Sequence, residues 1–111
     1  AIAGGVSGVC EAMVYAKAVG LDAAQMVDSI GTGAAGSAQL KTVAPRILAG
    51  DFDPGFFIRH FIKDMKLASE EAEDAGVHLG VLEYVLSMYE DMEAQGKGSL
   101  GTQALVQYYQ W

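Results

Sequence analysis

"FFIRHFIKDMKLASEEAEDAG", residues 56–76, places Phe57, Phe61, Met65, Ala68 and Ala72 at the three- and four-residue steps of one helical face. Its charges run against the helix dipole. Arg59, His60, Lys63 and Lys66 crowd the first half; Glu70, Glu71, Glu73 and Asp74 crowd the second. A helix N-terminus is partially positive and favours acids, with bases preferred at the far end. Arg59 and Lys63 also repel each other across one turn. Two readings stand. A solvated face with a Lys66–Glu70 pair accounts for Lys66 but not for Arg59 and Lys63. A phosphate-bearing or dianionic ligand at the first turn would be drawn by dipole, Arg and Lys together. Asp64 borders the apolar face, with His60 four residues before it. A carboxylate there needs a partner. Either His60 and Asp64 form a helical pair, or Asp64 orients a catalytic or cofactor-binding lysine.

The segments on either side share this period, and no run has the strict alternation of a strand. A first helix runs to about Val19 and stops at Gly20. Gly4, Gly8, Ala12 and Ala16 recur along it every four positions, a smooth ridge for close backbone approach that would offset the cost of helical glycine, about 1 kcal/mol each. Asp22 caps a second helix with Met26, Val27 and Ile30 as its buried face. "GTGAAGS", residues 31–37, opens a third helix, which Pro45 is expected to break or restart. "GDFDPG", residues 50–55, is a turn. Beyond residue 76 a further helix carries Leu82, Val85, Leu86, Tyr89 and Met92 and stops at Gly96. "TQALVQYYQ" forms a last short one. Five or six helices with short loops make an all-α, compact multi-helix domain without a sheet.

A chain of 111 residues fits a single domain able to bury roughly two thirds of its unfolded surface. With 51% hydrophobic and 19% charged residues it is globular. A net charge of −7 and a pI near 4.5 argue against a broad cationic face for nucleic acid or anionic membrane, so any anion binding must be local. No signal peptide or membrane span is expected in this stretch. Cys10, the lone cysteine, excludes an internal disulfide, suits a reducing cytosol and reads as a small core residue. Ala1 opens mid-pattern with no methionine or cap before it, which suggests a chain cut from something longer.

Motifs of catalysis are sparse. His60 and His78 lack the companions that zinc spacing requires, so no metal is expected. "GTGAAGS" lacks the Lys-Ser/Thr end of a nucleotide loop, and neither it nor "GGVSG" follows a strand. The loop at 31–37 could turn backbone N–H groups toward an anion, or be a connector with Ser37 as helix cap. No Ser/His/Asp or Cys/His arrangement has usable spacing.

In their order, "AIAGGVSGVCEAMVYAKAVGLD", "GTGAAGS", "LAGDFDPGFFIRHFIKDMKLASEEAEDAGV" and "GSLGTQALVQYY" resemble the C-terminal domain of the β-hydroxyacid dehydrogenases, of the 6-phosphogluconate-dehydrogenase-like type. Within that family the likeness is greatest to the 3-hydroxyisobutyrate dehydrogenases. It covers nearly the whole chain, and "GDFDPGF" followed by "KDMKLA" is its most specific part. The resemblance implies a two-domain enzyme: an N-terminal Rossmann domain for NAD or NADP, and an all-α domain that closes the active site and forms a subunit interface. It implies hydride transfer between nicotinamide and a small hydroxy acid, with tartronate semialdehyde as the alternative substrate. The catalytic lysine of the family lies ahead of the stretch matching "AIAGG", so this chain holds no catalytic residue and is expected to be inactive alone.

By the same resemblance Lys63 contacts the cofactor, Asp64 supports the active-site lysine network and Phe56 lines the active-site wall. Gly33, Gly36 and Ser37 match a segment near the cleft. A cytoplasmic homo-oligomer is expected, with no nucleic-acid or membrane partner. A different class of reading makes the domain a helical dimerisation module only, through the small-residue ridge and the aromatic end "YYQW".

Overall fold

A computed structural model describes all residues, 1–111. Five α-helices follow in order: α1 (Ile2–Ala18), α2 (Ala23–Gly31), α3 (Ala38–Leu48), α4 (Ile58–Asp74) and α5 (Gly80–Ala94). The last element, Thr102–Tyr108, is a 3-10 helix rather than an α-helix. There is no sheet; one isolated antiparallel bridge pairs Phe57 with Gly101. The chain divides into two compact units, Ala1–Phe52 with Gln103–Trp111, and Asp53–Thr102.

In the first unit α1 packs on α3, and α2 leans on both. Val6, Cys10, Met13 and Ala16 from α1, with Leu40, Val43, Ala44 and Ile47 from α3, supply its buried apolar side chains. Asp22 caps α2 by accepting from the Gln25 N–H at 3.1 Å. Met26, Val27 and Ile30 are only half-buried, so the face expected on α2 is present but shallow. Of the small-residue ridge, Ala16 is buried and Ala12 half-buried. Gly4 and Gly8 are exposed, and a side chain added at Gly8 would meet nothing. Gly5 is the tight position: a Cβ there would lie 2.7 Å from Gln39 Cγ.

Pro45 does not break α3. It stands in the last turn, so only the Lys41 carbonyl loses a helical N–H, and the ladder resumes with Ala49 N–H donating to the Pro45 carbonyl at 3.0 Å. The C-terminal residues are strapped to α1. The Tyr109 hydroxyl donates to the Glu11 carboxylate at 2.8 Å. The Lys17 ammonium lies 4.6 Å from the centre of the Trp111 ring and donates to the Trp111 carbonyl.

The second unit is α4 against α5. Its buried face on α4 is Ile58, Phe61, Ile62 and Met65, displaced from the expected Phe57–Ala68–Ala72 line. Phe57 is the residue before the helix and 37% exposed, Ala68 is exposed and Ala72 half-buried. The two isoleucines remove more apolar area from water than the alanines would, and they set the rotation of the helix. From α5, Val85, Leu86, Met88, Tyr89 and Met92 are buried. Gly96, at φ +83°, reverses the chain after α5 in the left-handed region that glycine tolerates. Residues 98–102 then run back along the start of α4.

Candidate functional site

The start of α4 is built by that returning segment. The Ile58 N–H donates to the Leu100 carbonyl at 2.9 Å and the Arg59 N–H to the Gly98 carbonyl at 2.9 Å. The Thr102 N–H donates to the Phe56 carbonyl at 3.0 Å. Two helical N–H groups that lack an internal partner at any helix start are thus filled by protein carbonyls.

An anion at the first turn would find the Ile58 and Arg59 N–H groups already taken by carbonyls. The Arg59 side chain also has a partner within the chain. Its Nε lies 3.1 Å from Glu93 Oε1 on α5. The sign problem in the sequence is answered inside the chain for Arg59, by carbonyl oxygens along the dipole and the Glu93 carboxylate, while Lys63 and Lys66 have no partner there. Gly98 makes room for that carboxylate. A Cβ at Gly98 would fall within the Glu93 carboxylate, 2.9 Å from Oε1 and nearer still to Oε2, which is buried there without a hydrogen bond.

Lys63 and Asp64 lie one to two turns further along α4, exposed and adjacent. Neither takes part in a hydrogen bond or ion pair, and the expected His60–Asp64 and Lys66–Glu70 pairs do not form. The reason is position: turned away from the Ile58–Met65 face, Asp64 is hydrated and needs no partner. His60 sits instead among rings, its centroid 5.1 Å from Phe57 and 6.1 Å from Phe56.

Phe56, 41% exposed, is anchored from below. Its ring is 6.0 Å from Phe61, and Phe61 meets the edge of Tyr89 at 5.4 Å. The structure therefore groups Phe56, Phe57 and His60 at the start of α4, with Lys63 one turn further along the helix.

Gly33, Gly36 and Ser37 belong to the first unit. Their polar groups are engaged locally: Gly33 N–H donates to the Ile30 carbonyl at 3.1 Å, and Gly36 N–H to the Gly33 carbonyl at 2.9 Å. The Ser37 hydroxyl accepts from Leu40 N–H at 3.0 Å, the cap that was one of its two readings. Gly36 is required by sterics, because a Cβ there would run into the Gly31 carbonyl and lie 3.0 Å from the Gly33 oxygen. Beside this loop a groove of about 500 Å³ opens, lined by Val27, Asp28, Thr32, Leu40 and Lys41 among others. A second, of about 450 Å³, lies by Ser69, Glu73, His78 and Glu83, where the Ser69 hydroxyl donates to the Glu83 carboxylate.

No three His, Cys, Asp or Glu side chains are grouped to hold a metal ion. No helix is long and apolar enough to cross a membrane. The Cys10 thiol is pushed up to about 12 by burial and, second, by the charge of Glu11. Sequence reasoning missed Glu93, Gly98 and Thr102, and read Tyr89 only as part of the buried stripe of α5. The signal nearest the three was the glycine spacing of "KGSLG", residues 97–101, which is legible as a turn but not as a cap for a distant helix.

The arrangement of helices is that of the helical part of a dehydrogenase of known structure. A crystal structure of 3-hydroxyisobutyrate dehydrogenase from Salmonella typhimurium superposes with a TM-score of 0.89 at 23% identity, covering 96% of this chain and 38% of that one. A family model described as NAD-binding of NADP-dependent 3-hydroxyisobutyrate dehydrogenase matches residues 1–109, and the chain belongs to that family. An uncharacterized oxidoreductase of Bacillus subtilis, YkwC, is 50% identical over 95% of this chain and 36% of its own length. The Arabidopsis thaliana protein named "Probable 3-hydroxyisobutyrate dehydrogenase-like 1, mitochondrial" is 41% identical over 95% of this chain and 31% of its own length. The chain thus spans about a third of the length of these curated relatives.

Proposed function

We propose that the chain is the C-terminal, all-α domain of an NAD- or NADP-dependent dehydrogenase acting on a small 3-hydroxy acid such as 3-hydroxyisobutyrate. The observation that carries the reading is the family match over residues 1–109, joined to an exposed lysine on α4 that the chain itself leaves unpaired. Lys63 fits an anionic dinucleotide held by a preceding domain. Its ammonium has three donors and no internal acceptor, whereas Arg59 beside it is committed to Glu93. Phe56 offers an apolar wall and Asp64 an unpaired carboxylate for a lysine of the preceding domain.

The nicotinamide supplies the hydride chemistry when bound; this domain positions the cofactor, shields the site from water and leaves proton transfer to the upstream lysine. We place the enzyme in the cytoplasm as a homo-oligomer. The exposed Tyr15, Val19 and Leu21 of the first unit support an interface.

Full-length enzyme assayed with NAD and NADP should turn over 3-hydroxyisobutyrate with the highest kcat/KM. Preference for tartronate semialdehyde would replace the substrate. Failure to oxidise or reduce any small hydroxy acid, with the oligomer intact, would leave a dimerisation module.

A further inference from the structure

Tyr89 is the largest fully buried side chain of the protein, at 0% exposure, yet it carries a hydroxyl. That hydroxyl donates to the Thr102 carbonyl at 2.8 Å. Thr102 in turn holds Phe56, its N–H donating to the Phe56 carbonyl at 3.0 Å. A second route joins the same two residues through their rings: Tyr89 edge-on to Phe61 at 5.4 Å, and Phe61 to Phe56 at 6.0 Å. Backbone and side chain of one exposed phenylalanine are therefore both tied to one buried tyrosine, within one compact unit.

A core position needs no phenol. Phenylalanine would fill the same space without placing a polar group in an apolar interior, so the hydroxyl has to be matched, and here it is spent on the segment that fixes Phe56. The helix after Phe56 cannot hold it alone, since Phe57 already lies outside α4.

We infer that Tyr89 is a positioning residue for Phe56, acting through Thr102 and Phe61, and that it sets how tightly the Phe56 wall closes on the bound hydroxy acid. This rests on the proposed reading of Phe56 as a wall of the active site. A loosened wall weakens binding of substrate in ground and transition states alike, so KM rises while kcat holds. A merely structural tyrosine behaves otherwise: its loss lowers the fraction of folded enzyme, and kcat falls at constant KM.

The test is a double-mutant cycle in the full-length enzyme with Tyr89→Phe, Phe56→Leu and the pair, reading KM and kcat for the hydroxy acid. Exchange of the Thr102 amide hydrogen is followed alongside. Tyr89→Phe is expected to raise KM about five-fold with kcat within two-fold, and to speed Thr102 exchange at least ten-fold. Phe56→Leu should raise KM comparably, and the pair no more than Phe56→Leu alone, because Tyr89 acts through Phe56. If Phe56→Leu raises KM while Tyr89→Phe does not, or the two effects multiply, the positioning role is wrong and the wall stands. If Phe56→Leu leaves KM unchanged, the wall is wrong and the positioning role falls with it. Should Tyr89→Phe not fold, Phe61→Leu interrupts the ring route. It must raise KM and be non-additive with Phe56→Leu, or the inference is overturned.

Discussion

Gly98→Ala probes the Glu93 carboxylate that pairs with Arg59 at the start of α4. An added methyl at residue 98 would overlap the Glu93 carboxylate, while the backbone there is not in the left-handed region and accepts alanine. The carboxylate is the end of a flexible side chain, so it is the group that yields. Its departure breaks the 3.1 Å contact with Arg59, whose side chain is 59% exposed against 36% for Glu93. Pairs this exposed contribute up to about 1 kcal/mol. The hydrogen bond from Arg59 N–H to the Gly98 carbonyl survives if only Glu93 moves. Removing a glycine stabilises by about 0.5 kcal/mol at a compatible position, through the unfolded chain. The net expectation is a loss of up to about 0.5 kcal/mol for Gly98→Ala alone, and a gain of about 0.5 kcal/mol in a Glu93→Ala background, where no pair is left to lose. For a domain of this size that loss lowers Tm by about 2–3 °C. Melting of the four variants at matched protein concentration gives the coupling. An equal loss in both backgrounds would refute the reasoning, since the backbone and not Glu93 would then be the obstacle.

Gly36→Ala should cost more, about 1–3 kcal/mol by melting, because the Gly31 carbonyl it meets is backbone and cannot rotate away. Ser37→Ala should cost about 1 kcal/mol through the lost α3 cap, with Ser37→Asp close to neutral. Cys10, raised to about 12, keeps its proton in the folded chain after the unfolded chain has lost it. Stability should therefore fall from pH 9 toward 12 by up to about 1.4 kcal/mol per pH unit. Cys10→Ala should lack that slope in alkaline denaturation curves. The 111-residue chain alone should self-associate and show no turnover; a monodisperse monomer in concentrated sedimentation runs would contradict the first.

Helix content was readable from period alone, and so were the caps at Asp22 and Ser37, because those signals lie within a few residues of each other. Pro45 misled because a proline's effect depends on how much helix follows it, and only three residues of α3 do. Within the chain no neighbour lies at Gly8, because small residues permit contact without compelling it; the close neighbour is at Gly5. The face of α4 was one step off, since isoleucine outweighs alanine in burial. The larger gap was Arg59. Its partner, Glu93, is 34 residues away on another helix, and the carbonyls that cap α4 come from residues 98 and 100. No local pattern encodes pairings of that range. What remains legible in the charges of α4 is Lys63 and Lys66, bases the fold does not consume.

Equilibrium binding of NAD(H) and NADP(H) to the full-length protein, followed by fluorescence before and after Lys63→Ala, tests the account most directly. A charge-assisted contact contributes about 1.5–3 kcal/mol, so the preferred dinucleotide should bind about ten-fold more weakly or worse, with Lys66→Ala as an inert control and the oligomer unchanged. Affinity within two-fold of the parent protein would contradict it: Lys63 would then be a solvated surface charge and the helix would face no cofactor.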